Sequence, residues 1–390
     1  MPGYELFGEE EREAVNQLFD TNNGVLFAHG FVAQRKNVYK VREFETALAR
    51  IVRSPSCQVV SSGSAALLVA IRALGVGQGD EVITSSFTFV ATVEAILEAG
   101  ATPVLTEIDE TYNMDPKDLR ARITSKTRLI LPVHMAGAPA RLEEILEIAR
   151  EHEIPVLEDA AQAFGGTYRG QALGTFGDAG IFSFDFAKNI TTGEGGAIVS
   201  ASEDVIQRAR ELHDHGHQYN SSFPRGKDTR RSPGFNFRMT EIQAAIGLAQ
   251  LTKLHDILRA QRRNKKKLRE RLDGLDVEFR TVVDEGEIAD TLIFALATRG
   301  AALGVAEKLA KEGVNTKNLP DAIDWHFAGT WDHMFRDVPS LKNCSEQWPK
   351  TRDLLERSIA LPVNVMMSDV EINHTAKVLR QAISGAEVIQ

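Results

Sequence analysis

Three groups of residues in this chain have types and spacing suited to one chemistry. Lys188 sits in the loop-like run Phe186-Ala187-Lys188-Asn189-Ile190-Thr191-Thr192-Gly193-Glu194-Gly195-Gly196, between two apolar segments that read as strands. A lysine at such a turn can attack a carbonyl and form a Schiff base once its amine loses a proton, which a desolvated site or a nearby cation arranges. Upstream, Gln58 to Ser62 reads as a short strand running into Ser62-Gly63-Ser64-Ala65-Ala66 and a helix from Leu67 to Leu74. That junction is a phosphate seat. The backbone N–H groups of Gly63, Ser64 and Ala65 and the positive end of the helix dipole face an anion, and Gly63 permits close approach. Between the two, the apolar strand Ile154 to Glu158 ends in Glu158-Asp159-Ala160-Ala161-Gln162, placing Asp159 where a parallel sheet opens its ligand crevice. A carboxylate paired with a pyridine nitrogen keeps that nitrogen protonated, and the ring then accepts the electrons of a substrate carbanion.

Each group also has a plainer reading: a solvated loop lysine, an ordinary helix cap, and an N-cap aspartate. Phosphate seat, strand-end acid and loop lysine, taken together and in that order, describe a pyridoxal 5'-phosphate (PLP) site.

The elements that must position these residues alternate from about residue 57 to about 200: strands Glu81 to Thr84, Pro103 to Ile108 and Leu129 to His134, with helices Thr88 to Ala99 and Leu142 to His152. That rhythm predicts an α/β fold with a mainly parallel sheet and helices on both faces. An amphipathic helix from Thr240 to Leu258, with Thr240 as N-cap, links to a C-terminal unit that mixes strands such as Thr291 to Ala297 with helices such as Leu303 to Lys311. The reading divides the chain into a large PLP-binding domain over 1–254, with an N-terminal helix from Glu9 to Phe19, and a small domain over 255–390.

The motifs Ser61-Ser62-Gly63-Ser64-Ala65-Ala66-Leu67, Leu157-Glu158-Asp159-Ala160-Ala161-Gln162, Phe182-Ser183-Phe184 with Lys188 and Thr191 to Gly196, and Gly234-Phe235-Asn236-Phe237-Arg238-Met239-Thr240-Glu241 resemble those of the DegT/DnrJ/StrS sugar aminotransferases. These enzymes belong to PLP-dependent transferase fold type I, and the resemblance covers most of the chain. The family usually carries threonine where this chain has Ser64; either hydroxyl binds a phosphate oxygen. The resemblance implies a seven-stranded-type, mainly parallel sheet flanked by helices, with a smaller C-terminal α+β domain. It implies that Lys188 holds PLP and then moves the proton between substrate and cofactor, with pyridoxamine 5'-phosphate as the intermediate form. Asp159 would pair with the pyridine nitrogen, Gln162 would sit against the phenolic oxygen, and Phe89, in preference to Phe87, would stack on the ring. Core packing is the alternative for both aromatics. Ser183 would supply a second phosphate hydroxyl, and Asn236 would cross from a neighbouring subunit to the same phosphate, making an obligate homodimer with shared sites. Asn236 can also be read as only a turn residue.

The substrates implied are an amino-acid donor, L-glutamate or L-glutamine, and a keto or aldehyde sugar acceptor. The opening Met1-Pro2-Gly3-Tyr4-Glu5-Leu6-Phe7-Gly8, the run Asp214-His215-Gly216-His217 and the Trp325-His326 region resemble family members that aminate the oxidised C8 of 3-deoxy-manno-octulosonate, a lipopolysaccharide sugar. Nucleotide-linked keto sugars are the alternative acceptors, and Arg225, Lys227, Arg230 and Arg231 suit either anion. His215, Lys317 and His326 are candidate substrate contacts, each with a structural role as the alternative. A non-catalytic PLP-binding regulator and a PLP-dependent dehydratase are the competing classes; the intact lysine and acid weigh against the former, and the lysine against the latter.

Composition sets the bounds. The chain has 390 residues, 43% hydrophobic and 25% charged, enough for a large core and a second unit. A net charge of -9 argues against a nucleic-acid surface, and Lys265-Lys266-Lys267 reads most simply as a solvated helix face. No apolar run is long enough to span a bilayer and no signal segment is evident, so the expected compartment is the cytoplasm. His213-Asp214-His215-Gly216-His217 is too tight a run to gather three imidazoles on one ion, and no metal is expected. Cys57 and Cys344 make a disulfide framework unexpected.

Overall fold

The computed structural model describes residues 2–386. Seven strands form the central sheet: β1 Ser56–Val60, β2 Glu81–Ser85, β3 Thr102–Thr106, β4 Thr127–Leu131, β5 Leu157–Asp159, β6 Ala179–Ser183 and β7 Gly196–Ser200. Their order is β1-β7-β6-β5-β4-β2-β3, with β4 joined to β5 through the parallel bridges Ile130 to Val156 and Val133 to Asp159. Only β7 runs antiparallel to its neighbours. The expected mainly parallel, helix-covered sheet is therefore present, and both of its faces are buried. Alternation along β6 shows why: Ile181 packs into the core beneath helix Gly63–Ala73, while Phe182 packs on the opposite side with Phe164 and Phe44.

Because the other six strands run the same way, their carboxyl ends share one edge of the sheet. Val60, Ser85, Asp159 and Ser183 all end strands there. The antiparallel β7 brings its first residue, Gly196, to the same edge, opposite both Val60 and Ser183. A Cβ on Gly196 would lie 2.3 Å from the Ser62 carbonyl oxygen, so this position admits glycine alone.

The helix Glu241–Arg271 starts at Thr240, whose side chain accepts from the Gln243 N–H in a capping box. It runs well past the expected end at Leu258. The buried stripe Leu254, Ile257, Gln261, Asn264 and Leu268 keeps helical spacing, but two of its members are amides, which hides the periodicity from a hydropathy reading. Lys265 corrects the expectation of a solvated face: its ammonium is largely buried against Glu287, with Nζ to Oε1 at 2.5 Å.

Residue 254 falls inside this continuous helix. Beyond it, strands β8 Glu278–Phe279, β9 Thr291–Ala295 and β10 Ser358–Pro362 form an antiparallel sheet. That sheet shares a core with helices Arg299–Lys311 and Asp369–Ala386. The intervening stretch returns to the central sheet. Phe327, Trp331, Phe335 and Trp348 are buried in the same core as helix Gly63–Ala73. Among the described residues, no helix is long and apolar enough to cross a membrane. Both cysteines are buried and unpaired.

Candidate active site

The carboxyl edge of the sheet opens into a cavity of about 440 Å³. Lys188, Asp159, Gly63, Ser64, Ser183, Gln162, Phe89, Lys317 and His326 all line it. Residues more than 250 positions apart in sequence thus meet in one place.

The phosphate seat is built from a helix cap. Ser62 Oγ accepts from the Ala65 N–H at 3.1 Å, leaving the N–H groups of Gly63 and Ser64 at the helix start for another acceptor. Ser183 ends β6 directly against this turn. A Cβ on Gly63 would fall 2.8 Å from the Ser183 Cβ and 2.9 Å from its Oγ, so the glycine makes room for the serine hydroxyl beside the helix N-terminus. The result is a small cradle lined by hydroxyl and N–H donors.

Asp159 is 3% exposed. Its Oδ2 accepts from Thr92 Oγ1 at 2.8 Å and its Oδ1 from the Ala161 N–H at 3.0 Å. Burial raises its pKa, and the Ala161 and Thr92 donors, followed by the charge of Lys188, pull it back down. A buried carboxylate with few partners at a cavity wall favours a cation beside it, and a protonated ring nitrogen is such a cation. Gln162 accepts the Ala136 N–H on Oε1 at 2.9 Å, which leaves its NH₂ as the donor end.

Lys188 lies in a short loop fixed by its own N–H to the Asp185 carbonyl at 3.1 Å and by the Gly3 N–H to its carbonyl at 3.1 Å. Desolvation lowers the pKa of its amine; Asp185 and Asp159 oppose this, and Lys317 adds to it. A lowered lysine pKa favours the nucleophilic form.

Phe89 is 40% exposed and lies near-parallel to Trp325, whereas Phe87 is 1% exposed and packs against Tyr112. The two aromatics thus divide, Phe87 to the core and Phe89 to the cavity. His326 gives its Nδ1 proton to the Ala322 carbonyl at 2.8 Å, and desolvation lowers its pKa, so its Nε2 is an acceptor. Lys317 Nζ pairs with Asp290 Oδ2 at 2.5 Å.

Three expected residues lie elsewhere. Ala65 does not line the cavity, because its N–H is spent on Ser62 Oγ in the helix cap. His215 and Asn236 are exposed and are not among the residues lining this cavity; both sit on a ribbon held by the Asp214 to Asn236 bridge. The other histidines of that run are committed separately, His213 within 3.3 Å of the Gln58 amide and His217 to Asp228. Sequence reasoning missed Thr92 and Asp290. Thr92 follows Thr88 by four residues at the start of a helix, with their hydroxyls 2.8 Å apart, a spacing that signals one polar helix face. Asp290 carried no signal beyond its place before a strand.

A doubly covered sheet with one antiparallel strand, a phosphate cradle, a buried acid and a desolvated lysine at one edge define a PLP-dependent aminotransferase of fold type I. A profile of the DegT/DnrJ/EryC1/StrS aminotransferase family matches residues 29–380, and the chain belongs to this family, whose cofactor is PLP. It is 31% identical to the spore coat polysaccharide biosynthesis protein SpsC of Bacillus subtilis (strain 168) over 399 residues, spanning 98% of this chain and 96% of that protein. It is 44% identical to GDP-perosamine synthase of Caulobacter vibrioides over 224 residues, 57% of this chain and 58% of that one. The solved structure of an aminotransferase from Psychrobacter cryohalolentis matches with a TM-score of 0.85 at 26% identity, covering 98% of both chains. Helicobacter pylori PseC, an aminotransferase in pseudoaminic acid biosynthesis, shares the fold with a TM-score of 0.84 at 23% identity over 97% of each chain.

Proposed function

We propose that this chain transfers an amino group from L-glutamate to a sugar, with the C8 aldehyde of oxidised 3-deoxy-manno-octulosonate as acceptor. One observation carries the catalytic part: a desolvated lysine, a buried carboxylate and a hydroxyl-lined helix N-terminus border a single cavity. PLP, when bound, supplies an electron sink for the substrate carbanion. Gly63, Ser64 and Ser183 would hold its phosphate, Asp159 its ring nitrogen, Gln162 its phenolic oxygen and Phe89 its ring face. Lys188 holds the cofactor between turnovers and moves the proton at the substrate carbon with its Nζ. That task needs a neutral amine, which desolvation and Lys317 favour. Asp159 must stay ionised, which Thr92 and Ala161 favour. Asn236, carried outward on its ribbon, would complete the phosphate seat of a second copy, so the working unit is a homodimer. Two buried, unpaired cysteines suit a reducing compartment such as the cytoplasm.

The acceptor reading rests on the resemblance in the opening residues, of which Met1 lies outside the described ones, and on the cavity's cations. Among the described residues that line it, none is an arginine, and Lys317, the cation besides Lys188, is paired with Asp290. One such cation suits a single carboxylate better than a diphosphate. The 44% identity to GDP-perosamine synthase favours a second reading, a nucleotide-linked keto sugar. Enzyme loaded as pyridoxamine phosphate and mixed with each acceptor in turn decides between them. Recovery of PLP absorbance with an aminated octulosonate is expected; recovery only with nucleotide sugars rejects the first acceptor, and recovery with none rejects both.

A further inference from the structure

The ribbon that carries Asn236 is fastened by a buried cluster, which commits Arg225 to Asp214 rather than to a substrate anion in the cavity. Asp214 is fully buried, and its carboxylate collects hydrogen bonds from three side chains. Arg225 grips it with both guanidinium nitrogens, Nη2 to Oδ1 at 2.6 Å and Nη1 to Oδ2 at 2.7 Å. Arg238 adds a short contact to Oδ1, and the Tyr219 hydroxyl donates to Oδ2 at 2.5 Å. His29 stands 3.5 Å from Oδ2 and 2.8 Å from the Tyr219 hydroxyl. Phe27 lies beneath both guanidinium groups. A buried carboxylate with two forked or charged donors is among the stiffest polar joints a protein makes.

The joint is tied to Asn236 twice. Through the backbone, Asp214 pairs with Asn236, the His215 N–H donates to the Phe235 carbonyl at 3.0 Å, and the Phe237 N–H donates to the His213 carbonyl at 2.9 Å. Through the side chain, Asp214 holds Arg238, two residues beyond Asn236. Asn236 itself is exposed and Phe235 is 49% exposed, so a rigidly held strand presents its side chains away from its own cavity. The same ribbon also reaches inward, because the Phe237 carbonyl accepts the Ser61 N–H at 2.8 Å, one residue before the phosphate seat.

We infer that Asp214 is a positioning residue that acts across the dimer: its carboxylate locks the ribbon so that Asn236 meets the cofactor phosphate of the other subunit. The inference rests on the shared-site reading above. Two routes lead from Asp214 to a phosphate, outward through Asn236 and inward through Ser61, and mixed dimers separate them.

The test uses full-length chains carrying tags that distinguish the two subunits by mass. PLP is titrated in, trapped on Lys188 with borohydride, and located by subunit mass. Asp214→Asn homodimers should need about tenfold more PLP for half-trapping, the effect of losing one charged hydrogen bond at the phosphate. In dimers of one D214N subunit with one Lys188→Ala subunit, only the D214N subunit can trap PLP, and its Asn236 neighbour comes from an intact ribbon. Wild-type affinity in that mixed dimer supports the inference. Affinity as weak as in the D214N homodimer shows that Asp214 acts within its own subunit and overturns it, as does an unimpaired homodimer. Asn236→Ala paired with K188A is the control: if it too stays weak, the shared-site reading itself has failed. Arg225→Lys keeps the buried carboxylate paired while losing the fork, and repeats the comparison should D214N not assemble; the same rescue in the mixed dimer is expected, and its absence counts against the inference.

Discussion

Gly63 and Ser183 meet at the end of the sheet so closely that a single added methyl group on the first would overlap the second. The helix start and the end of β6, 120 positions apart in sequence, form one cradle, the proposed phosphate seat, because position 63 has no side chain. Gly63→Ala should therefore push the serine hydroxyl away from the helix N-terminus. Overpacking of this kind costs about 1–3 kcal/mol, so the dissociation constant for PLP should rise about tenfold or more while the apoenzyme still folds. Fluorescence titration with PLP measures it; unchanged affinity would place the phosphate elsewhere.

Thr92 bears on Asp159 from the neighbouring helix. The acid must be ionised to work, so the rate is present above its pKa and falls as pH drops through it. Thr92→Val removes a donor that favours the carboxylate, so the acid limb of the kcat profile should move to higher pH. Asp159→Asn, which cannot ionise, should keep the fold and lose about a hundredfold or more in kcat at every pH. An acid limb that stays in place in T92V separates Asp159 from the titration.

How much of this was legible in the sequence follows from what each residue answers to. Gly63, Asp159 and Lys188 stand in runs whose strand-to-helix or strand-to-loop pattern announces their place, Ser183 is reached only through its likeness to a family motif, and the structure brings all four to one cavity. Asp290 and Lys265 are legible only in three dimensions. Their partners, Lys317 and Glu287, lie 27 and 22 positions away, a distance no local pattern spans. The polar stripe of Gln261 and Asn264 concealed the second half of the long helix for the opposite reason: its burial is real, but its side chains are not apolar.

His326 presents a neutral imidazole, with Nε2 free to accept, to the cavity. His326→Ala should raise the KM for the sugar by about tenfold, the worth of one or two hydrogen bonds, and leave the half-reaction with glutamate nearly unchanged. Stopped-flow measurement of each half-reaction separates the two. An equal loss in both would assign His326 to the cofactor or the donor instead.

Glu45 concerns stability rather than catalysis. Its carboxyl accepts from Gln58 Nε2 at 2.8 Å and from the Val59 N–H at 3.2 Å, and burial raises its pKa to about 7. The folded state therefore holds this proton more tightly than the unfolded chain does. Stability from this group is greatest below the ordinary carboxylate range, declines as pH rises toward 7, and stays low above it. Glu45→Gln should stabilise the protein by on the order of 1 kcal/mol at pH 8 and by much less at pH 5. Thermal melts at the two pH values give the difference; equal shifts would mean that the carboxyl is not the titrating group.

Two lysines line the cavity, Lys188 and Lys317, and the whole account turns on the first. Reduction of the PLP-loaded enzyme with borohydride, followed by digestion and peptide mass measurement, reports which one carries the cofactor. Labelling on the peptide that contains Lys188, lost in Lys188→Ala together with turnover, is the predicted result. Labelling on Lys317, or full activity in K188A, would contradict it.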